Sequence, residues 1–263
     1  MLGEGVRKLE TDSVYQRLHP ILMEAGEVAL EHFRGVRAVT KSDGSQVTTA
    51  DQAIEALLVD ALGKAFPGDG VISEEGARVE SDGACWFVDP IDGTSSYVEG
   101  LAHWGPTVCR VKDGVVESGA LWLPRLNEFW FARRGFGAWR NAERVLSSDS
   151  GRPGRHHSMF IPSRAHRMTP IPWPGKVRSL GSSAAHLCLV AVGAAQAAII
   201  PTWHLWDVGA GALMIEESGR SVCDAYGAPV NVASCQPGLP LVAGASSAVE
   251  HLVGSDWIRQ ALG

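Results

Sequence analysis

Two aspartates, Asp89 and Asp92, end an apolar run in the segment Trp86-Phe-Val-Asp-Pro-Ile-Asp-Gly-Thr94. Carboxylates this close repel each other unless a positive charge lies between them. Pro90 fixes one backbone angle and Gly93 permits a tight bend, so the segment predicts a turn that holds both acids on one side. Oxygen ligands on such a turn suit Mg²⁺, which prefers carboxylates, water and phosphate oxygens. The segment therefore indicates metal-assisted phosphate chemistry.

Two further acidic features lie at the ends of predicted elements, where active groups tend to collect. Glu74 follows a predicted strand over residues 70–73, and Asp207 lies at the start of a predicted helix. Each acid also has a structural alternative. Glu74 and Glu75 could form a solvated loop pair, Asp92 an ordinary turn, and Asp207 a favourable charge at the positive end of its helix. Three separate structural roles explain the combination less easily than one shared site does.

Composition restricts the class of protein and of ligand. The 263 residues can fill one large domain or two small ones, and their hydrophobic and charged fractions, 45% and 20%, are ordinary for a globular protein. The formal net charge of −6 argues against a nucleic-acid partner. An acidic protein that binds an anionic substrate needs metal ions or backbone dipoles, which agrees with the Asp89 segment.

The cysteines and the apolar stretches bear on location. The five cysteines are scattered without a Cys-x-x-Cys pair, which argues against zinc and for a reducing compartment. The first residues lack the pattern of a signal peptide, and the most apolar stretch, over 187–200, is too short to span a bilayer. We therefore expect a cytoplasmic protein without a membrane partner.

Periodicity divides the chain into two differently organised halves. Helices are predicted over 12–33 and from Thr48 to Pro67, followed by a meander of strands over 107–111, 115–123 and 128–132. The polar segment 140–155 is the best candidate for a linker. Strands and helices alternate after it, ending with a helix over 247–262. Layered sheets covered by helices follow from this mixture.

The motifs around these acids resemble those of the inositol monophosphatase family, which comprises Mg²⁺-dependent, lithium-sensitive sugar-phosphate phosphatases. The Asp89 segment resembles the first family signature, and Trp206-Asp-Val-Gly-Ala-Gly-Ala-Leu-Met-Ile-Glu-Glu-Ser-Gly219 resembles the second. Supporting matches are Lys41-Ser-Asp-Gly-Ser-Gln-Val-Thr-Thr-Ala-Asp51 and Ile72-Ser-Glu-Glu-Gly76. The resemblance implies an α+β fold, a layered α-β-α-β-α sandwich of the sugar phosphatase type. It also implies a single domain over 1–263, with subdomains of about 1–145 and 146–263, and a homodimer.

The resemblance further implies roles for individual residues. Glu74, Asp89 and the backbone carbonyl of Ile91 match the ligands of a first Mg²⁺. Asp89, Asp92 and Asp207 match those of a second, and a third, weaker ion is held mainly through Glu74 and water. The catalytic set is Glu74, Thr94 and Asp51, of which Thr94 and Asp51 match the pair that holds the attacking water. The phosphate- and substrate-binding set is Asp92, Gly93, Thr94, Gly181, Ser182, Ser183, His204 and Asp207.

Departures from the family pattern concern the substrate. Ile200 stands where inositol-selective members carry a glutamate that binds sugar hydroxyls, and an apolar side chain cannot accept those hydrogen bonds. The segment Ser163-Arg-Ala-His-Arg167 either reaches a second anionic group or is a solvated loop. The expected function is Mg²⁺-dependent hydrolysis of a small sugar or polyol phosphate. Histidinol phosphate, fructose 1,6-bisphosphate and 3′-phosphoadenosine 5′-phosphate are alternative substrates, and a non-catalytic metal-binding regulator is the alternative from another class.

Overall fold

The computed structural model of the chain describes residues 8–35, 38–40, 46–147, 151–165, 171–234 and 239–255. Several sequence predictions lie outside these residues. They concern the first part of the Lys41 motif, Cys235, the His166–Arg167 end of the Ser163 segment and the last turns of the C-terminal helix.

Two long helices form the first layer, and both confirm the sequence prediction. Helix α1 covers Ser13–His32, and the carboxylate of Asp12 accepts the backbone N–H groups of Val14 and Tyr15, each at 2.9 Å. Helix α2 covers Thr49–Ala65 and begins with a capping box between Thr48 and Asp51. Such side-chain caps satisfy N–H groups that have no partner inside the helix.

The second layer is an eight-stranded sheet. Its strands in spatial order are β10 (Glu143–Val145), β9 (Gly137–Arg140), β8 (Glu128–Arg133), β7 (Val115–Leu123), β6 (Gly105–Lys112), β5 (Cys85–Asp92), β3 (Gly70–Ser73) and β4 (Arg78–Val79). The run from β5 to β10 is antiparallel, which confirms the predicted meander, and β3 pairs parallel to β5. A separate two-stranded sheet joins β1 (Val39–Thr40) to β2 (Gln46–Val47).

Two boundaries predicted from the sequence are wrong. The predicted turn after Val88 is instead the end of β5, which continues to Asp92 because β6 still pairs with it at Asp89 and Asp92. The register shifts between these two acids, where Pro90 has no N–H to donate to the ladder. The predicted linker also begins with a strand, since β10 pairs with β9.

The remaining layers come from the second half of the chain. Helices α4 (Ser183–Ala191) and α5 (Leu205–Glu217) pack against each other, and α5 lies between the two larger sheets. The second of these sheets has the order β12 (Lys176–Arg178), β11 (Ser158–Phe160), β13 (Ala197–Ile200), β15 (Leu241–Gly244) and β14 (Ser221–Asp224). Helix α6 (Ser246–Val253) packs on β15. The short helix α3 (Thr94–Val98) follows β5 directly.

Buried residues confirm the layered α-β-α-β-α sandwich. One apolar cluster joins α1 and α2 to the first sheet, a second surrounds α4 and α5, and a third joins the second sheet to α6. The middle layer is tight: a Cβ on Gly209 of α5 would lie 2.3 Å from the sulfur of Cys109 on β6. Within the described residues, no helix combines the length and the apolar character needed to cross a bilayer.

Candidate active site

Three carboxylates converge where β3, β5 and α5 meet. Each of Glu74, Asp89 and Asp207 offers an oxygen, and these three atoms lie within 4.8 Å of one another. The pairing of Ser73 with Val88 in parallel strands places Glu74 beside Asp89. Asp207 lies in the first turn of α5, where it accepts the N–H of His204 at 2.6 Å. The structure thus brings together three of the acids predicted from the sequence.

Burial and mutual repulsion make this cluster electrostatically costly. Asp89 is only 3% exposed, and burial raises its pKa well above the ordinary value, with Glu74, Asp92 and Asp207 adding repulsion. Burial likewise raises the pKa of Asp92 to about 7, and Asp207 contributes to the increase. Both shifts have the same physical origin, since burial removes the negative charge from water and neighbouring carboxylates repel it. A hard divalent cation bound by these oxygens would stabilise the charged carboxylates and so offset both the cost of burial and the mutual repulsion.

Asp92 faces a different partner from the other acids. Its carboxylate accepts the hydroxyl of Ser182 and the backbone N–H groups of Ser183 at 3.3 Å and Ala184 at 2.8 Å. These donors form the N-terminus of α4, where unpaired N–H groups and the helix dipole favour a negative charge. Ser182 also caps α4, because its hydroxyl oxygen accepts the N–H of Ala185 at 3.0 Å. The hydroxyl of Ser182 therefore contacts Asp92 and α4, and this residue does not line the main cavity.

Gly93 and Thr94 form the junction between β5 and α3. Gly93 has a φ of 91°, and a Cβ there would lie 3.0 Å from the carbonyl oxygen of His103 and 3.1 Å from the Cβ of Ser182. Only glycine adopts this conformation without strain. The hydroxyl of Thr94 donates to the carbonyl of Ile91 at 3.1 Å, so the predicted water-holding residue and the predicted carbonyl ligand lie together.

Asp51 lies in the first turn of α2 and is almost fully buried. Its carboxylate accepts the N–H of Thr48 at 2.7 Å and the hydroxyl of Thr48 at 2.6 Å. Burial raises the pKa of Asp51 to about 6, although the hydrogen bonds from Thr48 oppose the increase. The negative charge of Asp51 contributes to the raised pKa of Asp89, so the two carboxylates interact electrostatically.

A cavity of about 590 Å³ opens above the carboxylates. Its lining includes the predicted residues Glu74, Asp89, Ile91, Asp92, Gly93, Thr94, Gly181, Ser183 and Asp207. The cavity is also lined by four residues that were not predicted from the sequence, Thr40, Gln46, Ser95 and Glu99. Gln46 lies within the Lys41 motif and Ser95 follows the first signature, so motif proximity was the available signal. Arg164 lines the cavity too, which places this residue of the Ser163 segment at the site.

A second cavity of about 170 Å³ adjoins the first, since Gly181 and Ser183 line both. Ile199, Ile200 and Pro201 supply apolar wall, and Ile200 is 4% exposed. The departure from the family pattern therefore lies in the wall of this smaller cavity.

Two histidines near the site, His186 and His204, each stack on an aromatic side chain. His186 stacks on Phe160, and its Nε2 accepts the N–H of Leu180 at 2.8 Å, so this buried side chain has a hydrogen-bond partner within the protein. Burial lowers the pKa of His186 to about 3. His204 precedes α5 and stacks on Trp206 with its side chain 60% exposed, and it lines neither cavity.

Comparison with known proteins identifies the same family. The family model described as the inositol monophosphatase family matches residues 10–254. The chain is 31% identical to a fructose-1,6-bisphosphatase/inositol-1-monophosphatase of Thermotoga maritima, over 81% of this chain and 86% of that protein. It is 34% identical to a histidinol-phosphatase of Mycobacterium tuberculosis, over 70% and 76% respectively.

Solved structures agree on the fold. The extragenic suppressor protein SuhB of Bartonella henselae superposes with a TM-score of 0.81 at 23% identity, covering 92% of this chain and 98% of that one. An IMPase of Thermotoga maritima gives a TM-score of 0.78 at 25% identity, covering 89% and 93%. These likenesses agree with the fold, and the family match over residues 10–254 together with the phosphatase relatives establishes that the chain is a phosphoric monoester hydrolase of the inositol monophosphatase family.

Proposed function

We propose that the protein hydrolyses a phosphate monoester of a small sugar or polyol, with Mg²⁺ as its cofactor. The observation that supports this most directly is the convergence of Glu74, Asp89 and Asp207 beneath an open cavity. Five carboxylates line that cavity, against a single arginine among its described lining residues. A phosphate dianion needs added positive charge to enter such a site.

The donor set fits magnesium, because all the side-chain donors are carboxylate oxygens. Glu74, Asp89 and the carbonyl of Ile91 would hold one ion, and Asp89, Asp92 and Asp207 a second. A third ion would rest mainly on Glu74. Bound Mg²⁺ supplies charge neutralisation for the phosphate and lowers the pKa of a water molecule in its shell.

The remaining residues would orient the reactants. Thr94 lines the cavity, and its hydroxyl would hold the attacking water. The Asp51 carboxylate, which interacts electrostatically with Asp89, would be able to take up a proton because burial raises its pKa to about 6. Backbone groups of Gly93 and Thr94 would contact the phosphate, and Gly181 and Ser183 would line the path of the leaving group. Water attacks phosphorus and the alcohol leaves, so no covalent enzyme intermediate is required.

The substrate class rests on the second cavity and on the relatives. Relatives bear the names fructose-1,6-bisphosphatase/inositol-1-monophosphatase, histidinol-phosphatase and inositol-1-monophosphatase, so the family serves several small phosphate esters. The apolar side chain of Ile200 disfavours inositol 1-phosphate relative to less hydroxylated esters. We also propose a homodimer, lithium inhibition and a cytoplasmic location, on the basis of the family resemblance and the cysteine pattern.

Phosphate release from p-nitrophenyl phosphate, with Mg²⁺ and with a chelator, tests the proposal. Activity is expected only with Mg²⁺. Loss of a residue that supports a metal ligand typically costs roughly 10–100-fold in activity or metal affinity, and Asp92→Asn should lower kcat by more than this, because it removes a ligand itself. It should also raise the Mg²⁺ concentration needed for half-maximal activity. Asp224→Asn is a matched control, because Asp224 is a buried carboxylate of β14 that accepts the N–H groups of Tyr226 and Ala228.

Two outcomes would overturn the proposal. A metal-independent Asp92→Asn enzyme with full activity would refute the assigned role of the carboxylate. A wild-type protein that binds Mg²⁺ but releases no phosphate from a panel of sugar, histidinol and nucleotide phosphates would be the non-catalytic regulator.

A further inference from the structure

Arg164 occupies an unusual electrostatic position. It lies on the exposed segment after β11 and lines the cavity that also holds Glu74, Asp89 and Asp207. It is the one cationic side chain among the described residues that line this cavity. In the ion pairs formed among the described residues, Arg164 does not take part. Within the described residues, the positive charge of Arg164 is therefore not paired with a neighbouring carboxylate.

The backbone around Arg164 is held in place. The hydroxyl of Ser163 lies 3.0 Å from the hydroxyl of Ser179, which follows β12. The N–H of Ala165 donates to the carbonyl of Pro162 at 3.1 Å, and the side chain of Ala165 is buried. Contacts on both sides thus fix the residue that carries the guanidinium. Less conformational entropy is lost when a ligand is bound by a segment that is already ordered.

The two cavities meet beside this segment. Pro162 and Ser163 line the smaller cavity, Arg164 lines the larger one, and Gly181 and Ser183 line both. A substrate whose phosphate lies at the carboxylate cluster extends past Gly181 and Ser183, which brings the far end of its leaving group toward residues 162–164. A guanidinium at that end matches a carboxylate or a phosphate, because its N–H groups can donate two parallel hydrogen bonds.

We propose that Arg164 binds a second anionic group, a phosphate or a carboxylate, carried by the leaving group of the substrate. This inference rests on the proposed function, because it takes the carboxylate cluster as the site of the phosphate that is hydrolysed. Metal ions and backbone N–H groups would bind the phosphate that is hydrolysed, whereas Arg164 binds the anionic group at the far end of the leaving group. The substrate class is thereby narrowed to small esters with two anionic groups.

Two matched pairs of compounds test this assignment as competitive inhibitors of p-nitrophenyl phosphate hydrolysis. Fructose 1,6-bisphosphate and fructose 1-phosphate differ by a second phosphate. The compounds 3-phosphoglycerate and glycerol 3-phosphate differ by a carboxylate in place of a hydroxymethyl group. We expect the doubly anionic member of at least one pair to bind about 10-fold or more tightly in the wild type, and the pair that shows the preference distinguishes phosphate from carboxylate.

Arg164→Ala should bring that ratio of inhibition constants close to one, and Arg164→Lys should retain part of it. The ratio is formed within each variant, so a general change in turnover does not enter it. Arg178→Ala is the matched control: Arg178 is an exposed arginine of the neighbouring strand β12 and lines neither cavity. It should keep the wild-type ratio.

Three results would overturn the proposal: no preference within either pair in the wild type, a preference that survives Arg164→Ala, or an equal loss in Arg178→Ala, which would indicate a general charge effect. If the wild type with Mg²⁺ releases no phosphate from p-nitrophenyl phosphate or from the panel of sugar, histidinol and nucleotide phosphates, the proposed function fails by itself. Calorimetric titration of the same four compounds then gives the same ratios without turnover, so the two failures are distinguishable.

Discussion

The carboxylate of Asp92 at the end of β5 accepts the backbone N–H of Ala184 in the first turn of α4, at a distance of 2.8 Å. The contact joins the C-terminal end of an interior strand of the first sheet to a helix of the middle layer, and the Ser182 hydroxyl strengthens it. One carboxylate thereby has two functions. It satisfies helix N–H groups that have no partner within α4, and its own orientation toward the site is fixed.

Removing the hydroxyl of Ser182 should affect both functions. Ser182→Ala deletes the donor to Asp92 and the acceptor of the Ala185 N–H, so we expect a loss of about 0.5–2 kcal/mol in unfolding free energy. The Mg²⁺ concentration for half-maximal activity should also rise, because Asp92 is less well oriented. Urea unfolding and a Mg²⁺ titration of activity measure the two effects. Ser218→Ala is the control, since Ser218 is a buried serine whose hydroxyl donates to the carbonyl of Ile215 near the end of α5. It should cost stability without changing the Mg²⁺ dependence, and a similar change in both variants would contradict the positioning role.

The metal-free protein should lose stability as pH rises. Burial raises the pKa of Asp51 to about 6 and that of Asp92 to about 7, whereas both titrate near 4 in an unfolded chain. Between these values the folded state binds more protons than the unfolded state, so the unfolding free energy decreases with pH. Stability present at pH 4 should therefore be lost progressively through pH 7, by a total on the order of a few kcal/mol.

Thermal unfolding in chelator at pH 5 and pH 8 measures this loss, and Mg²⁺ at pH 8 should reverse it, since bound metal stabilises only the folded state. Asp92→Asn removes one of the titrating groups and should flatten the pH dependence. A metal-free wild type that is more stable at pH 8 than at pH 5 would show that the cluster is not strained by its own charge.

A side chain at Gly93 should disrupt the junction between β5 and α3. In Gly93→Ala the Cβ meets the carbonyl of His103 and the Cβ of Ser182, and the residue keeps a positive φ. We expect a cost above the roughly 1–2 kcal/mol that a left-handed alanine carries by itself, together with a weaker response of stability to Mg²⁺. Gly114→Ala is the control, because Gly114 has a φ of 74° and open space around its Cβ position. Equal losses in the two variants would mean that the site adds no steric constraint.

Local patterns were sufficient to predict the elements and several of the acids. Glu74 and Asp89 each lie at or near the end of an apolar strand, and the chain order of β3 and β5 brings such ends together. The contact between Asp92 and α4 joins residues about ninety positions apart, so no local pattern contains it. For His204, the sequence position beside Asp207 predicts a substrate contact, whereas the structure shows the ring stacked on Trp206 and outside the lining of both cavities, so the contact stays a prediction. For the segment that contains Arg164, the sequence left two interpretations open, a contact with a second anionic group or a solvated loop. Only the tertiary structure places Arg164 at the cavity.

Ile200 provides a test of how the second cavity selects its ligand. Its side chain forms apolar wall beside Pro201, so a carboxylate introduced there would face the space next to Gly181 and Ser183. Ile200→Glu should raise kcat/KM for inositol 1-phosphate relative to p-nitrophenyl phosphate by about 10-fold, since each hydroxyl that gains an acceptor avoids a penalty of about 1–3 kcal/mol. The same change should lower the unfolding free energy by several kcal/mol, because a carboxylate replaces a buried apolar side chain.

Ile200→Leu keeps the volume without an acceptor and should leave the substrate ratio at the wild-type value. If the ratio in Ile200→Glu does not exceed that of Ile200→Leu while the protein remains folded, the apolar wall is not what limits recognition of hydroxyl-rich esters. Selectivity would then depend on other residues of the two cavities.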